Sequence, residues 1–514
     1  MTTSQPMFGD RAIFARPLIV DPQARAMSKV GVVDIGSNSV RLVIFDGAAR
    51  SPAYFFNEKV MCGLGKGLLE TGMLNPEGKV KARATLHRFQ ALARSIGCAP
   101  LHVVATAAMR EAKDGPEFKE QIESETGMTI HVVDGTEEAR LSAQGVLLGW
   151  PGAYGLVCDI GGSSMELAEI SKGKIGKCVT SPLAPLKLQD IEGGAKARRT
   201  HIEETLDQLL EELGPQHDRL FLVGGSWRAI GRINMERMNY PLHVLHEYQI
   251  TCSELMDTLE FIKEHKDLES LRKDCGISSA RMALVPLAAE VLEAVVKRLD
   301  PHDIAISSYG IREGLLYEQM PQDLRDRDPL IEACRFSEIK DARMPGFGKI
   351  LFSFISPLFP KVTPEKARII KAACLLHDVT WRAHPDYRAE ICFDNSTRAN
   401  LGGLSHSERI YIGLSLLYRY KNKPSSSQFE MLAPLLSEED TREAEVLGKA
   451  MRFGAMLWMH KDRAPGKFKL NTEDKALKLV LHKDAADLFS EVAAARLDSL
   501  AKALDATHEV IIAD

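Results

Sequence analysis

Among its nine cysteines the 514-residue chain has no Cys-x-x-Cys pair. A zinc knuckle needs paired thiolates at short spacing, and a disulfide scaffold needs cysteines at high density, so neither is indicated. Scattered thiols of this kind suit a reducing compartment. No apolar run approaches the length of a membrane span; the stretch from Ile350 to Pro360 is short and broken by proline. An excess of positive charge is missing as well. The net charge of −5 gives no general attraction to nucleic acid or to an anionic membrane, so a polyanionic ligand would need locally gathered cations. Residues 1–28 mix Arg, Pro and polar groups without a hydrophobic signal core and read as a mobile tail. Together these absences point to a cytoplasmic protein. An apolar content of 45% and a charged content of 26% are ordinary for a globular chain. At this length one core does not suffice, and roughly three or four domains are expected.

What is present is a phrase that occurs twice. The first copy, Val33-Asp34-Ile35-Gly36-Ser37-Asn38-Ser39-Val40-Arg41-Leu42, returns as Cys158-Asp159-Ile160-Gly161-Gly162-Ser163-Ser164-Met165-Glu166-Leu167. Asp, Ile, Gly, Ser and Leu fall in one register, and each copy lies between two apolar, strand-like runs. Gly and Ser in a tight turn let backbone N–H groups approach an anion and add small hydroxyl donors. Two such turns a domain-length apart predict a duplicated fold whose halves face each other across a phosphate. A chance pair of Gly/Ser hairpins is the plainer alternative.

Around these turns the pattern alternates strand and helix. Strands are expected at 30–34, 40–46, 54–62, 101–105 and 129–134, with helices at 76–96, 116–126 and 136–148. A second unit repeats the order, with strands at 156–159, 165–170, 174–180, 219–223, 245–250 and 303–307 and helices at 200–213, 226–236, 252–264 and 280–298. Asn75-Pro76-Glu77 supplies a capping side chain and a proline suited to the first turn. Beyond the charged link 323–329 the sequence turns to amphipathic helices at 346–357, 364–378, 405–420, 439–455 and 484–504. A little sheet is expected near 455–482 and at Val510 to Ile512. The resulting divisions are a tail 1–28, α/β halves 29–155 and 156–321, a helical domain 322–440 and a small α/β region 441–514.

Several residues could carry chemistry. Glu137 and Glu138 follow Thr136, which can cap a helix whose dipole favours acids in its first turn. One of these carboxylates could instead face the cleft and deprotonate a water. Arg110 follows a strand end, where ligands of α/β sheets collect, and offers two-pronged donors for phosphate. Arg41 and Glu166 occupy the same repeat position, so one turn contributes a cation and the other a carboxylate. Asp159 and Glu166 could hold Mg2+ through oxygens and waters, or Asp159 could only brace its turn. Gly224-Gly225-Ser226 is a third Gly-rich turn, opening a helix. Lys172, Lys174, Lys177, Lys187 and the segment Gly193-Gly194-Ala195-Lys196-Ala197-Arg198-Arg199 read as a basic, loop-borne patch of use to a long polyanion. His377-Asp378, with His384 and His406, resembles the metal pair of HD phosphohydrolases, but residues 335–360 contain no histidine to complete it.

These phrases resemble the exopolyphosphatase / guanosine pentaphosphate phosphohydrolase (Ppx/GppA) family. The resemblance rests on Asp34-Ile-Gly-Ser-Asn-Ser, Ala105-Thr-x-x-x-Arg110, Glu137-Glu138-Ala139-Arg140-Leu141 and Asp159-Ile-Gly-Gly-x-Ser-x-Glu166, in the family's order and spacing. It is close from Val30 to about Tyr317 and looser beyond. It implies duplicated ribonuclease H-like halves of the actin/sugar-kinase superfold, followed by a mainly helical HD-like region. It further implies Mg2+-dependent release of orthophosphate from the end of inorganic polyphosphate, and a homodimer. Glu138 matches the catalytic base, and Asp159 and Glu166 match the metal-side carboxylates. Gly36, Ser37, Asn38, Ser39, Arg41, Arg110, Gly161, Gly162, Ser163 and Ser164 match the phosphate contacts. Ser163 stands where the family usually has a third glycine. Guanosine pentaphosphate, with guanosine tetraphosphate as a further ligand, is the rival in the same site. A sensor that binds without hydrolysis is the rival outside enzymes, and neither nucleic acid nor membrane insertion is expected.

Overall fold

The computed structural model describes residues 19–21, 26–27, 29–46, 50–98, 100–213, 218–421, 427–457 and 463–513. They fall into two compact units, the first running from Met27 to Arg327 together with the described residues before Asp21, and the second comprising Asp328 onward together with Asp21–Ala26. Much of the expected tail lies outside the described residues, although Ile19–Asp21 and Ala26–Met27 pair as a small two-stranded sheet.

The first unit contains the predicted duplication. One sheet has the order Tyr54–Met61, Ser39–Phe45, Val30–Ile35, His102–Ala105, Ile130–Val132; the first three strands are antiparallel and the remaining neighbours parallel. The second sheet repeats that order with Lys174–Ser181, Met165–Ser171, Tyr154–Ile160, Arg219–Val223 and Asp303–Ile306, and adds Tyr248–Ile250 at its edge. Strands covered on both faces read as continuous apolar runs, as Val30–Ile35 does with five of its six residues buried. One core lies on the outer face of each sheet, and a third is shared between them. In that shared core Val32, Val104, Val157 and Phe221 enclose Leu147 and Leu315 from two central helices, Gly135–Gly149 and Ile311–Gln319. These helices cross so closely that a Cβ on Gly314 would lie 1.8 Å from the Leu141 carbonyl oxygen. No larger residue fits there. The crossing holds Glu138 and Arg312, one near the start of each helix, at the line where the two sheets meet.

Local signals explain most boundaries. Asn75 accepts from the Gly78 N–H at 2.8 Å, Pro76 opens the helix Pro76–Ile96, and Gly97 closes it at φ 75°. Thr251 and Glu254 form a capping box before Cys252–Glu264.

Other expectations are corrected. Asp134 rather than Thr136 caps Gly135–Gly149, accepting from the Glu137 N–H at 2.7 Å. The segment 193–199 is not a loop: the helix Gly194–Leu213 begins there, and Arg198 is tied to Glu290. The helix expected at 280–298 is broken into Ser279–Met282 and Val285–Leu299, with Pro286 in the first turn of the second piece.

The second unit is mainly helical, from Pro329–Asp341 to Glu438–Gly454. The boundary expected at 440/441 falls inside that last helix. A three-stranded sheet follows, in the order Gly466–Asn471, Ala476–His482, Thr507–Ala513. Its parallel pair is joined through the helix Glu491–Ala503, which begins seven residues later than the stretch 484–504 suggests because a 3-10 turn at Lys483–Leu488 precedes it.

Candidate active site

The two repeated phrases fold as hairpins with the same turn. Gly36 donates to the Ser39 carbonyl at 3.0 Å, and Gly161 donates to the Ser164 carbonyl at 2.9 Å. The turns meet: Ser163 Oγ donates to Ser37 Oγ at 3.0 Å. Both line one cavity of about 180 Å³ that runs between the two halves of the first unit. Gly36, Ser37, Asn38, Ser39, Gly161, Gly162, Ser163 and Ser164 all contribute to its wall, as do Arg41, Glu138 and Asp159.

One end of this cavity is acidic. Glu138 sits at the fourth position of its helix, with its side chain 12% exposed and Oε2 3.6 Å from Arg110 Nη1. Arg110 also donates to the Val133 carbonyl at 2.8 Å, which fixes it behind Glu138 rather than in the cavity wall. Asp159 accepts from the Ser142 hydroxyl. Glu166 is set back from the cavity at 1% exposure, with Oε1 accepting from Thr180 at 3.1 Å. Burial raises all three carboxyl groups. Glu138 goes well above its ordinary value through burial and then through Glu166 and Asp159. Glu166 is pushed to about 8 by burial and Asp159, and Asp159 rises by burial against the opposing Ser142 bond. Glu138 Oε2 and Glu166 Oε2 are buried without a hydrogen-bond partner. These carboxylates crowd one another with oxygens to spare, a donor set that fits a hard divalent cation. Among the described residues no three His, Cys, Asp or Glu side chains form a ready cage, so such an ion would keep waters and substrate oxygens in its shell.

The rest of the cavity is cationic. Arg41, Lys59, Arg228, Arg281 and Arg312 line it. Arg312 is anchored by Asp34 at 2.9 Å, and Arg41 donates to Asn57 at 2.8 Å. Arg228 donates to the Ser307 carbonyl at 3.3 Å and Arg281 to Ser226 at 3.1 Å. Burial and the neighbouring Arg312 lower Arg228 to about 10. Lys59, partly desolvated and facing Arg281 and Arg41, is lowered to about 8. An anion between these groups would relieve their repulsion.

Asp34, Lys59, Arg228, Arg281 and Arg312 were not singled out by sequence reasoning. A signal existed for Asp34, which shares its repeat position with Asp159, and for Arg228, which follows the Gly224-Gly225 turn by three residues. Lys59 and Arg281 lie on elements with no local mark. Of the basic residues at 172–199, Lys187 lines a neighbouring cavity that opens beside Ser37 and Ser163 and pairs with Glu111 at 3.2 Å. Lys177 instead donates to the Glu212 carbonyl. Glu137 is occupied by Arg140 at 2.5 Å.

In the second unit the Asp378 carboxylate is gripped by Arg343 through two nitrogens, at 2.6 and 2.9 Å. The His377 ring contacts the Cys374 carbonyl at 2.8 Å, and burial drops its pKa to about 3. A guanidinium therefore holds the acid of the His-Asp pair, and His384 remains exposed.

Comparison with known proteins follows the same division. Residues 43–323 match the Ppx/GppA phosphatase family, and residues 331–511 match the domain described as exopolyphosphatase, C-terminal. The chain is similar to retrograde regulation protein 2 of Saccharomyces cerevisiae, with 25% identity over 80% of this chain and 77% of that protein. It is also similar to exopolyphosphatase 1 of Mycobacterium bovis, with 25% identity over 59% of this chain and 92% of the relative. An exopolyphosphatase from Cytophaga hutchinsonii shares the fold of 57% of this chain over 98% of its own, with a TM-score of 0.52 at 23% identity. A family member from Aquifex aeolicus does so over 58% and 99%, with a TM-score of 0.50 at 22% identity.

Proposed function

The chain belongs to the Ppx/GppA phosphatase family, and from that premise we propose that it is an exopolyphosphatase releasing orthophosphate from the end of inorganic polyphosphate. The observation that carries this reading is the single cavity in which two Gly/Ser turns, a ring of cations and the carboxylate of Glu138 meet. The turns and Arg41 hold the terminal phosphoryl group between them. Glu138, supported by Arg110, accepts a proton from the water that attacks phosphorus opposite the bridging oxygen. A new P–O bond forms to that water, the bridging P–O bond breaks, and the shortened chain leaves with its electron pair. The leaving phosphate is a weak base and needs no proton. Catalysis of this kind consists mainly of placement and charge stabilisation.

Mg2+ is part of the proposal. Asp159 at the cavity wall, with Glu166 set behind it, would hold the ion beside Glu138, and the ion when bound offsets charge on the non-bridging oxygens. A homodimer and a cytoplasmic location are proposed on the family resemblance. No described helix is long and apolar enough to cross a membrane.

A second reading has an observation of its own. The yeast relative that aligns with both units of this chain carries the name of a regulatory protein, which favours a polyphosphate or nucleotide sensor built on the same cavity. The two readings are separated by orthophosphate release from long-chain polyphosphate and from guanosine pentaphosphate, with Mg2+, for the wild type and Glu138→Ala. Release from the polymer that is lost in the variant supports the exopolyphosphatase. Release from the nucleotide alone moves the substrate to guanosine pentaphosphate, and binding without release supports the sensor.

A further inference from the structure

Arg228 is a residue the hydrolytic scheme does not use. It lies on the first turn of the helix Gly225–Arg237, directly after the Gly-Gly turn, and faces into the cavity. Its approach is fixed by backbone. Gly224 has φ 111°, and a Cβ there would fall 2.4 Å from the Ile160 carbonyl oxygen, so the turn lies flat against the end of the strand bearing Asp159. Arg281 comes as close from the other side, where a Cβ on Gly225 would lie 2.5 Å from its Nη2. Across the cavity, the edge strand Tyr54–Met61 contributes Lys59, and the strand Ser39–Phe45, its hydrogen-bonded neighbour, contributes Arg41 opposite it in register.

Among the described residues none of Arg41, Lys59, Arg228 and Arg281 forms an ion pair with a carboxylate. Arg312, by contrast, has Asp34. Four cations sharing a cavity of this size are a costly arrangement unless an anion joins them. The terminal phosphate, placed at the turns, meets Arg41 but leaves Lys59, Arg228 and Arg281 without an anionic partner. Their number and their spread over both halves of the unit, two on neighbouring strands and two on helices, suit more than one phosphate group.

Building on the exopolyphosphatase reading, we propose that Lys59, Arg228 and Arg281, with Arg41, form a second anion subsite for the phosphates next in line behind the terminal one. The ligand class is an inorganic phosphoanhydride chain, for which pyrophosphate is the shortest probe.

The test uses the full chain and compares the wild type with Arg228→Met and Arg228→Lys. Calorimetric binding of pyrophosphate and orthophosphate is measured beside thermal unfolding without any anion. Arg228→Met is expected to weaken pyrophosphate binding roughly tenfold while changing orthophosphate binding less than about twofold, as loss of a charge-assisted contact to the second phosphate would do. Its anion-free melting point should stay level or rise, because a buried cation lacking an anionic partner has been removed. Arg228→Lys should recover part of the affinity. Unchanged pyrophosphate binding overturns the subsite. Equal weakening of both ligands with a lower melting point also overturns it and makes Arg228 a structural brace for the Ser307 carbonyl. Binding is read without turnover, so a wild type that binds pyrophosphate and hydrolyses nothing sinks the enzymatic reading and leaves the subsite standing.

Discussion

Ser163 donates its hydroxyl proton to Ser37 Oγ across 3.0 Å, joining two turns that lie 126 residues apart in the chain. Both residues are buried, at 7% exposure each, and both line the proposed phosphate cavity. The bond ties together the two halves at the point where the terminal phosphate would sit. Substituting Ser163→Gly removes it and frees the local backbone. The expected result is a loss of about 1 kcal/mol in urea unfolding, with a higher KM for polyphosphate and a smaller change in kcat. A fall in kcat at constant KM would show that the hydroxyl acts in the transition state instead.

Glu138→Gln keeps the shape of the side chain and removes the proton acceptor. Turnover should drop by roughly 10²–10⁴-fold, with polyphosphate affinity nearly intact. If affinity falls in parallel with turnover, Glu138 shapes the cavity rather than taking the proton.

The raised pKa of Glu138 sets a pH dependence. A base must be deprotonated to act, so activity should fail on the acid side at a pH above the ordinary glutamate range. A cation bound among Asp159, Glu138 and Glu166 favours the ionised form, so increasing Mg2+ should move this acid limb to lower pH. Rate profiles at two Mg2+ concentrations measure the displacement, and an immobile limb would place the ion away from these carboxylates.

Glu166 carries a stability consequence. Its pKa rises from 4.5 in the unfolded chain to about 8 in the fold. Between these values the unfolded state has lost a proton that the folded state retains, so stability falls as pH rises through the window. Glu166→Gln should flatten that decline and melt higher than the wild type at pH 8 in the absence of divalent ions. The two proteins should converge near pH 4. A wild-type melting point that climbs from pH 5 to pH 8 relative to the variant would contradict the assignment.

Arg343 should matter to the second unit for structural reasons. The Asp378 carboxylate is 1% exposed and is held by that one side chain through both oxygens. Arg343→Ala strands the acid and should cost about 3–5 kcal/mol. Added zinc should not restore the loss, because the pair is a guanidinium–carboxylate clamp. Rescue by metal would revive a metal centre at His377 and Asp378.

Much of the first unit was readable along the chain. The repeated phrases each combine an apolar strand, a Gly/Ser turn and a second strand, so local propensity and turn chemistry agree on the hairpins. The helix Pro76–Ile96 was legible to the residue because Asn75, Pro76 and Gly97 mark both ends. Gly194–Leu213 was less so: its opening Gly-Gly and cluster of charges resemble a loop, and its buried stripe of Ile202, Leu206, Leu209 and Leu213 begins only later.

The sequence by itself determined the duplication and both Gly/Ser turns, because each is written within a few contiguous residues whose spacing dictates local geometry; it left Glu137 and Glu138 as alternatives, and only the family resemblance singled out Glu138. Only the tertiary structure decided that Lys59, Arg228, Arg281 and Arg312 share the cavity with them, that Glu166 stands behind it and that Arg343 occupies Asp378. Those facts depend on side chains from distant segments brought together by sheet order and by the tight crossing of two central helices. Charge acts through space, and the chain's own order carries no record of the distances between groups that folding makes neighbours.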